Sequence, residues 1–273
     1  MIAATITSTT SISRAVLPIA TRNKKILAAL CMDPTIQKES PFAFRLYESI
    51  GQEAEVLLNY YSGEKNKRIG VLYINHAGTV QQLNDYFIPG FKKLGLNVVY
   101  QEPYELTEKD FKVKIDKIRH AKVDSLIIIG FGFEYLTIFK ELAQYGLIGK
   151  IEITGGCGFI APNKVPAELL ENIVVAAPTY VFSKNEKANM FESAYKKKFG
   201  NTPNFDAAFA YDAVGILANA LIEAKGDVEK AQKMLTTKGN FDGIMGQIKI
   251  DSEGGSEVPM GLGIIKAGQI IPM

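Results

Sequence analysis

The chain has 273 residues, 47% apolar and 22% charged, which is enough apolar material for a sizeable core in one or two domains. Its 31 basic and 29 acidic residues leave a net charge of +2, too weak to recruit nucleic acid or an anionic membrane. Two distant cysteines (Cys31, Cys157) and two histidines (His76, His120) form no ligand-spaced cluster, so we expect no metal and no cofactor. No apolar run reaches the length of a membrane span, and residues 1–10 lack the pattern of a secretory signal.

Short apolar runs alternate with stretches of helical periodicity, a pattern typical of α/β proteins. In the first part of the chain, hydroxyl residues open the first predicted helix, and apolar residues recur along one side of the second. The predicted strands lie at 2–6 and 25–30, and the predicted helices at 11–21 and 49–61.

The alternation of strand and helix is clearest between residues 67 and 178. The runs in this region are almost continuously apolar, as buried parallel strands are. We therefore expect one self-contained parallel sheet here. Its predicted strands are 67–74, 96–101, 123–130, 150–154 and 172–177, with Pro178 ending the last, and its predicted helices are 78–94, 109–120 and 133–145.

The remaining third of the chain is predicted to be mostly helical before it ends in strands. Because the sheet of residues 67–178 is complete in itself, the parts on either side of it must pair with each other. The sequence therefore predicts a second lobe built from discontinuous segments. The helices are placed at 186–199, 205–224 and 228–235, and the strands at 241–251 and 261–265.

Four motifs follow one another along the chain: RIGVL at 68–72 with GLNVV at 95–99, the strand 123–130 with the helix that closes in LAQYGL at 142–147, YDAV at 211–214, and FDGIMG at 241–246 continued by Ile250, Asp251 and Gly254. In this order they resemble the type I periplasmic solute-binding proteins, in particular the branched-chain amino acid (Leu/Ile/Val) binders of ABC transporters. The resemblance implies a two-lobed α/β fold that captures a small solute without changing it chemically.

The resemblance also implies where the lobes divide. The family begins with two further βα units, so the N-terminal lobe is expected to be incomplete, with an unpaired sheet edge and weak stability or association. Lobe I would hold residues 1–47 and 180–259 and lobe II residues 48–179 and 260–273, with hinge crossings near 46–49, 178–181 and 258–261.

In such proteins the ligand lies between the lobes, where strands end and helices begin, and helix N-termini attract carboxylates. In lobe I the hydroxyls at 9–11 match a pair that holds the ligand's carboxylate, although they also fit a plain N-cap. The acid at 33 fits either a partner for a ligand cation or an Asp-Pro turn. The expected contacts of this lobe are Thr9, Thr10, Ser11, Cys31, Met32 and Asp33.

In lobe II the expected contacts follow three successive strands. His76 is either a ligand contact or a histidine of a surface loop, and Phe131 is either a wall of the pocket or a core residue. The glycine loop after residue 154 is either a site for an anion or carbonyl group or a flexible connection. Relatives carry an acid in that loop, and its absence here favours an amide or carboxylate over an α-amino acid. The expected contacts are His76, Gly78, Phe131, Gly155, Gly156 and Cys157, with Tyr180 near a hinge.

Two other functions are alternatives. A hydrolase would need Gly-x-nucleophile-x-Gly around Cys157, but Phe159 stands at the last position and nothing orients His76 or His120 as a base. A ligand-sensing receptor domain of the same fold is the other alternative. We expect this chain to be a binding protein and not an enzyme. It would lie in the periplasm or another extracytoplasmic compartment and deliver an amino acid, amide or carboxylate to an ABC-transporter permease.

Overall fold

A computed structural model describes residues 3–161 and 164–273, which form two compact units. Unit 1 comprises Met1–Gln52 and Pro178–Pro259, and unit 2 comprises Glu53–Ala177 and Met260–Met273. The first boundary follows Gln52, five residues beyond the position expected from the sequence. Within unit 1, Gln52 Nε2 donates a hydrogen bond to Val258 O, 3.1 Å away.

The helices and strands alternate in the first two thirds of the chain. The strands are β1 (Ala4–Ser8), β2 (Ile26–Leu30), β3 (Ala43–Arg45), β4 (Arg68–Ile74), β5 (Asn97–Tyr104), β6 (Ser125–Ile129), β7 (Glu152–Gly155), β8 (Val174–Pro178), β9 (Asn240–Gly243), β10 (Gly246–Ile250), β11 (Ser256–Glu257), β12 (Met260–Lys266) and β13 (Gln269–Pro272). The α-helices are α1 (Thr10–Arg22), α2 (Ile50–Tyr61), α3 (Ala77–Gln82), α4 (Ile88–Leu94), α5 (Lys112–His120), α6 (Tyr135–Gln144), α7 (Glu186–Phe199), α8 (Phe205–Glu223) and α9 (Val228–Lys238).

Unit 1 contains a three-stranded parallel sheet in the order β1-β2-β3 and a small antiparallel sheet in the order β11-β10-β9. Its core cluster joins Leu17 and Ala20 of α1 to Leu27 and Ala29 of β2, a strand whose five residues are all buried and apolar. Among the described strands, β1 lies at one edge of the parallel sheet. Ile12 and Ile19 of the neighbouring helix α1 are half exposed.

Helix α8 is long and apolar enough to cross a membrane, by length and composition alone. Eight of its residues are nevertheless buried inside unit 1, including Phe209 and the charged Asp212. Both Asp212 carboxylate oxygens accept backbone hydrogen bonds from the β9–β10 turn, one from Ile244 N and one from Met245 N, each 2.9 Å long. These contacts identify α8 as a core helix of this unit.

Unit 2 is built on a seven-stranded sheet in the order β13-β12-β8-β7-β6-β4-β5. Strands β5, β4, β6, β7 and β8 are parallel neighbours, so their carboxyl ends lie at one end of the sheet. Helices α2 to α4 cover one face with a core cluster that includes Tyr61, Phe87 and Phe91, all fully buried. The sheet therefore presents the loops after β4, β6 and β7 side by side.

Several boundaries differ from the sequence prediction. The helix expected at 78–94 is one helical run, but it contains a π-helical segment at Leu83–Phe87. Pro178 is the last residue of β8, because the missing N–H of a proline does no harm at a strand end. The first strand starts at Ala4, and its predicted residue Ile2 lies outside the described residues.

The motif at 241–246 is a hairpin of two strands, and its glycines serve two different purposes. Gly246 has a φ of 96°, which glycine adopts readily. Gly243 is needed for space, since a Cβ there would collide with the Asp212 carboxylate. Phe241 is partly buried, and Ile244 and Met245, in the turn itself, are fully buried.

Candidate functional site

The first helix of unit 1 begins without a side-chain cap. Thr9 is the N-cap residue of α1, but its hydroxyl makes no capping hydrogen bond and lies near the Ser11 hydroxyl instead. The Thr9 side chain therefore does not perform the N-cap role that the sequence suggests. Since the first backbone N–H groups of a helix have no partner within it, this end of α1 combines amide donors with the exposed hydroxyls of Thr9 and Ser11.

The backbone at Thr9 is strained. Its φ of 66° and ψ of 148° lie in a region that a β-branched residue rarely adopts. Three hydrogen bonds hold it there: Thr9 N donates to Leu30 O, 3.1 Å away, and Thr9 O accepts from Ser13 N at 3.1 Å and from Ser13 Oγ at 2.7 Å. Strain of this kind is often found at binding sites, where the surrounding structure compensates for it.

The loop after β2 lies beside the start of α1, because β1 and β2 are adjacent and parallel. Burial raises the pKa of the Cys31 thiol, and hydrogen bonds with the Thr10 and Ser13 side chains oppose that rise. Met32 contributes a backbone oxygen that accepts a hydrogen bond from Ile50 N at 3.2 Å. The structure therefore brings the two predicted segments of unit 1 together.

Asp33 is occupied within unit 1. One carboxylate oxygen accepts hydrogen bonds from Thr35 N (2.9 Å) and Thr35 Oγ1 (2.8 Å), and the other forms an ion pair with Arg14 at 2.6 Å. The Thr35 and Arg14 contacts outweigh desolvation by burial, the largest single cause, and the pKa of Asp33 is lowered. These contacts are those of a turn residue, and they leave little capacity for a ligand cation.

In unit 2 the loops after β4 and β6 meet through an aromatic contact. The His76 ring packs edge-on against Phe131, with centroids 5.4 Å apart, and Phe131 stacks on Phe133 at 6.1 Å. Phe131 is 39% exposed, so the core alternative for this residue is wrong. His76 also caps α3, since its Nδ1 accepts a hydrogen bond from Gly78 N at 3.3 Å.

The glycine loop after β7 has a buried carboxylate beneath it. Glu53 of α2 is only 3% exposed; its Oε2 accepts from Cys157 N at 2.6 Å and its Oε1 accepts from Gln82 Nε2 at 2.9 Å. Gly155 and Gly156 are both places where a Cβ would collide with neighbouring atoms. The loop is therefore packed against its surroundings, which argues against the flexible-connection alternative.

A second buried carboxylate lies beneath the loop after β6. Glu134 Oε1 accepts from Tyr104 Oη and from Phe131 N, both at 2.7 Å. Within the described residues, its other oxygen is buried without a hydrogen-bond partner. The exposed surface of these loops thus presents backbone, thiol and aromatic groups, while both acids point inward.

Tyr180 belongs to unit 1 and is buried, with Lys184 Nζ 5.6 Å from its ring centroid. Burial raises the pKa of Tyr180 to about 12, and Glu192 and Asp212 add to the rise. Its hydroxyl has no hydrogen-bond partner in the part of the chain that the structure describes.

A groove of about 580 Å³ lies elsewhere in unit 2, along the edge strand β5 and the end of α4. It is lined by Lys92, Leu96 and Tyr100 among others, and by none of the residues predicted from the sequence. Its position along the first half of β5 is remote from the strand carboxyl ends. We therefore place the candidate site at the loops and not in this groove.

Sequence reasoning missed Glu53, Gln82 and Glu134. A signal for Glu53 was present: it stands three residues after Ile50 and four before Leu57, on the side of α2 that carries apolar residues. A charged residue at such a position needs a buried partner, but the partner lies 104 residues away in sequence. Glu134 gives no comparable signal, because it precedes its helix.

Comparison with known proteins agrees with this architecture. A family model for periplasmic binding proteins matches residues 2–262. A Leu/Ile/Val-binding protein homolog from Brucella suis is 26% identical over 71% of this chain and 52% of its own length. A leucine-, isoleucine-, valine-, threonine- and alanine-binding protein from Pseudomonas aeruginosa is 24% identical, over 70% and 50%. The chain spans about half the length of the curated relatives it matches.

Solved structures show the same fold. A leucine-binding protein from Thermotoga maritima aligns with a TM-score of 0.83 at 24% identity, over 99% of this chain and 79% of that one. A solute-binding protein from Rhodopseudomonas palustris, solved with benzoate, aligns with a TM-score of 0.84 at 17% identity, over 99% and 76%. Since the family model covers nearly the whole chain and these relatives share its fold, this protein belongs to the periplasmic binding protein family, with the type I α/β fold.

Proposed function

We propose that this chain is a solute-binding protein that captures a small carboxylate reversibly and presents it to the membrane permease of an ABC importer, in the periplasm or another extracytoplasmic compartment. The family supports the binding role, and the relatives named for leucine, isoleucine and valine make a branched-chain amino acid the first candidate. The neighbours solved with benzoates make an aromatic acid the second.

The start of α1 is the observation that carries this proposal. Its first-turn amides have no side-chain cap, and the exposed hydroxyls of Thr9 and Ser11 stand beside them. Amide donors and the positive end of a helix dipole attract a carboxylate. The Thr9 strain is consistent with a backbone shaped for a ligand.

The loops of unit 2, considered by themselves, suit an apolar solute. Phe131 offers an exposed ring that suits an aliphatic or aromatic body. The buried Glu53 and Glu134 are not on the surface of these loops, so an ammonium group near them would meet backbone oxygens and not an exposed acid. This arrangement favours a carboxylate with an apolar body over a solute recognised mainly by its positive charge.

We propose binding without chemistry. A reactive cysteine thiolate is stabilised by a nearby positive charge. The Cys157 thiol instead hydrogen-bonds to the buried Glu53 carboxyl, which supplies no positive charge. His76 is engaged in capping α3 and packing on Phe131.

A thermal-shift experiment tests the ligand class. L-leucine, L-isoleucine, benzoate and 4-hydroxybenzoate would each be compared with leucinamide or benzamide, which lack the carboxylate. A true ligand at about 100 times its Kd stabilises the folded protein by roughly 2.7 kcal/mol. We expect stabilisation by carboxylates and none by the amides, and weaker stabilisation in Ser11→Ala than in the control Ser193→Ala, an exposed serine within α7. Equal effects of acid and amide would refute the carboxylate site.

A further inference from the structure

The glycine loop and helix α2 are built around one buried group. Glu53 receives a hydrogen bond from the backbone of the loop at Cys157 and another from the side chain of Gln82 on α3. The Cys157 thiol also hydrogen-bonds to the Glu53 carboxylate. One carboxylate thus links three segments of unit 2.

Gly156 makes this arrangement possible. A Cβ at residue 156 would overlap the Glu53 carboxylate, so the carboxylate occupies the space that a side chain would need. Neither residue can be enlarged alone. The shape of the loop therefore depends on Glu53, and the position of Glu53 depends on the glycine.

Glu53 also stands where the chain passes from one unit to the other. Helix α2 begins at Ile50, whose N–H donates to Met32 O in unit 1, and Gln52 donates to Val258 O in the same unit. The very next residue is the first of unit 2 and holds the loop at Cys157. Consecutive residues of one helical turn are therefore anchored in different units.

We propose that Glu53 is the positioning residue of the loop Gly155–Cys157 and that, together with Gln52, it ties the shape of this loop to the segment of α2 that joins the units. A solute that displaces the loop would then shift the start of α2 through this carboxylate. That last step depends on the proposed function, whereas the dependence of the loop on Glu53 does not.

The charge on Glu53 sets the strength of this link. Desolvation by burial raises its pKa, and the hydrogen bonds from Gln82 and Cys157 oppose the rise. The titratable groups that face it are the Cys157 thiol and the Tyr135 phenol of α6, whose own pKa is raised well above its usual value, chiefly by burial. As pH rises, the carboxylate ionises and becomes a stronger acceptor for Cys157 N–H and a stronger opponent of the Cys157 thiolate.

Pulsed labelling with iodoacetamide tests the inference without any solute. The modification rates of Cys157 and of buried Cys31 would be followed by peptide mass spectrometry between about pH 5.5 and 9 in wild type, Glu53→Gln and the exposed control Glu55→Gln. We expect Cys157 to react about tenfold faster in Glu53→Gln than in wild type in the upper part of this range, and at the wild-type rate in Glu55→Gln. Equal rates in wild type and Glu53→Gln across the whole range, or an equal effect of Glu55→Gln, would overturn the positioning role.

A second arm tests the connection to the other unit. Gln52→Ala should change the Cys157 labelling rate at least threefold in wild type and leave it unchanged when Glu53 is already glutamine. Equal effects in both backgrounds would overturn the link through Glu53, while the outcome of the thermal-shift screen would be unaffected. Labelling of Cys31 reports loss of the fold.

A double-mutant cycle covers the case in which Glu53→Gln does not fold. Gly156→Ala should lower the urea midpoint strongly in wild type, because the new Cβ meets the carboxylate. It should lower the midpoint much less in a Glu53→Ala background, where the space is empty. Additive effects would show that Gly156 and Glu53 act independently, contrary to the proposal.

Discussion

The Asp212 carboxylate is predicted to be the main connection between α8 and the β9–β10 hairpin. It is buried, and it accepts the N–H groups of Ile244 and Met245 at 2.9 Å each. Replacing it with alanine would leave two buried N–H groups in the turn without partners. We expect Asp212→Ala to destabilise unit 1 severely.

The magnitude follows from the two bonds. A hydrogen bond to a charged group contributes about 1.5–3 kcal/mol, so losing both would cost about 3–6 kcal/mol. Desolvation by burial raises the pKa of Asp212, so part of the hydrogen-bond energy offsets the cost of burying the charge. We therefore expect Asp212→Ala to lower the free energy of unfolding by about 3 kcal/mol. Asp212→Asn keeps one acceptor oxygen and should cost about half as much.

Urea unfolding followed by tyrosine fluorescence measures this loss, since the chain has 12 tyrosines and no tryptophan. At an m-value of about 2 kcal/mol per molar, the midpoint of Asp212→Ala should fall by about 1.5 M. Asp242→Asn is the control; this exposed aspartate pairs with Lys187 and should change the free energy of unfolding by about 0.5 kcal/mol or less. A loss below about 1 kcal/mol in Asp212→Ala at unchanged m-value would refute the reasoning.

Three further substitutions have defined outcomes. Thr9→Gly relieves the strain at φ 66° and should raise the free energy of unfolding by up to about 1 kcal/mol in urea titrations, while weakening solute binding in the thermal-shift assay. Asp124→Asn should remove part of the loss of stability that wild type shows at low pH. Arg68 lowers the pKa of Asp124 to about 2, so the stabilisation by the ionised Asp124 is present above the pKa of the unfolded state near 4 and is lost as pH falls towards 2. Because Asp124 is partly exposed and water screens its pair with Arg68, that contribution should be about 0.5–1 kcal/mol. Tyr180→Phe removes a buried hydroxyl that has no partner among the described residues and should leave the melting temperature unchanged or higher.

The strands that the sequence predicted well are those that reveal themselves locally. Arg68–Ile74 and Ser125–Ile129 are buried on both faces, so their apolar runs are almost continuous. Strand β3 was missed because its three residues depend on pairing with β2, and an arginine among them gives no strand signal. Strand β13 was missed because its few apolar residues end in a proline.

The residues of the candidate site could be proposed from the sequence only where they follow a strand. The residues at 9–11, 31–33, 76–78 and 155–157 could be named because strand ends locate ligand loops. What each side chain does depends on distant partners: Arg14 occupies Asp33, and Glu53 supports Cys157. That these loops bind one solute stays a prediction.

Both units are discontinuous in sequence, and this has a consequence during synthesis. Unit 2 lacks β12 and β13 until residues 260–273 have been made, and unit 1 lacks α8 and its hairpin until the ribosome is far past residue 205. Neither unit can therefore complete its fold until the last part of the chain has been translated. Half-made chains would leave β8 without its neighbour β12 and β2 without the packing of α8, so we expect chaperones that hold nascent polypeptides to bind them.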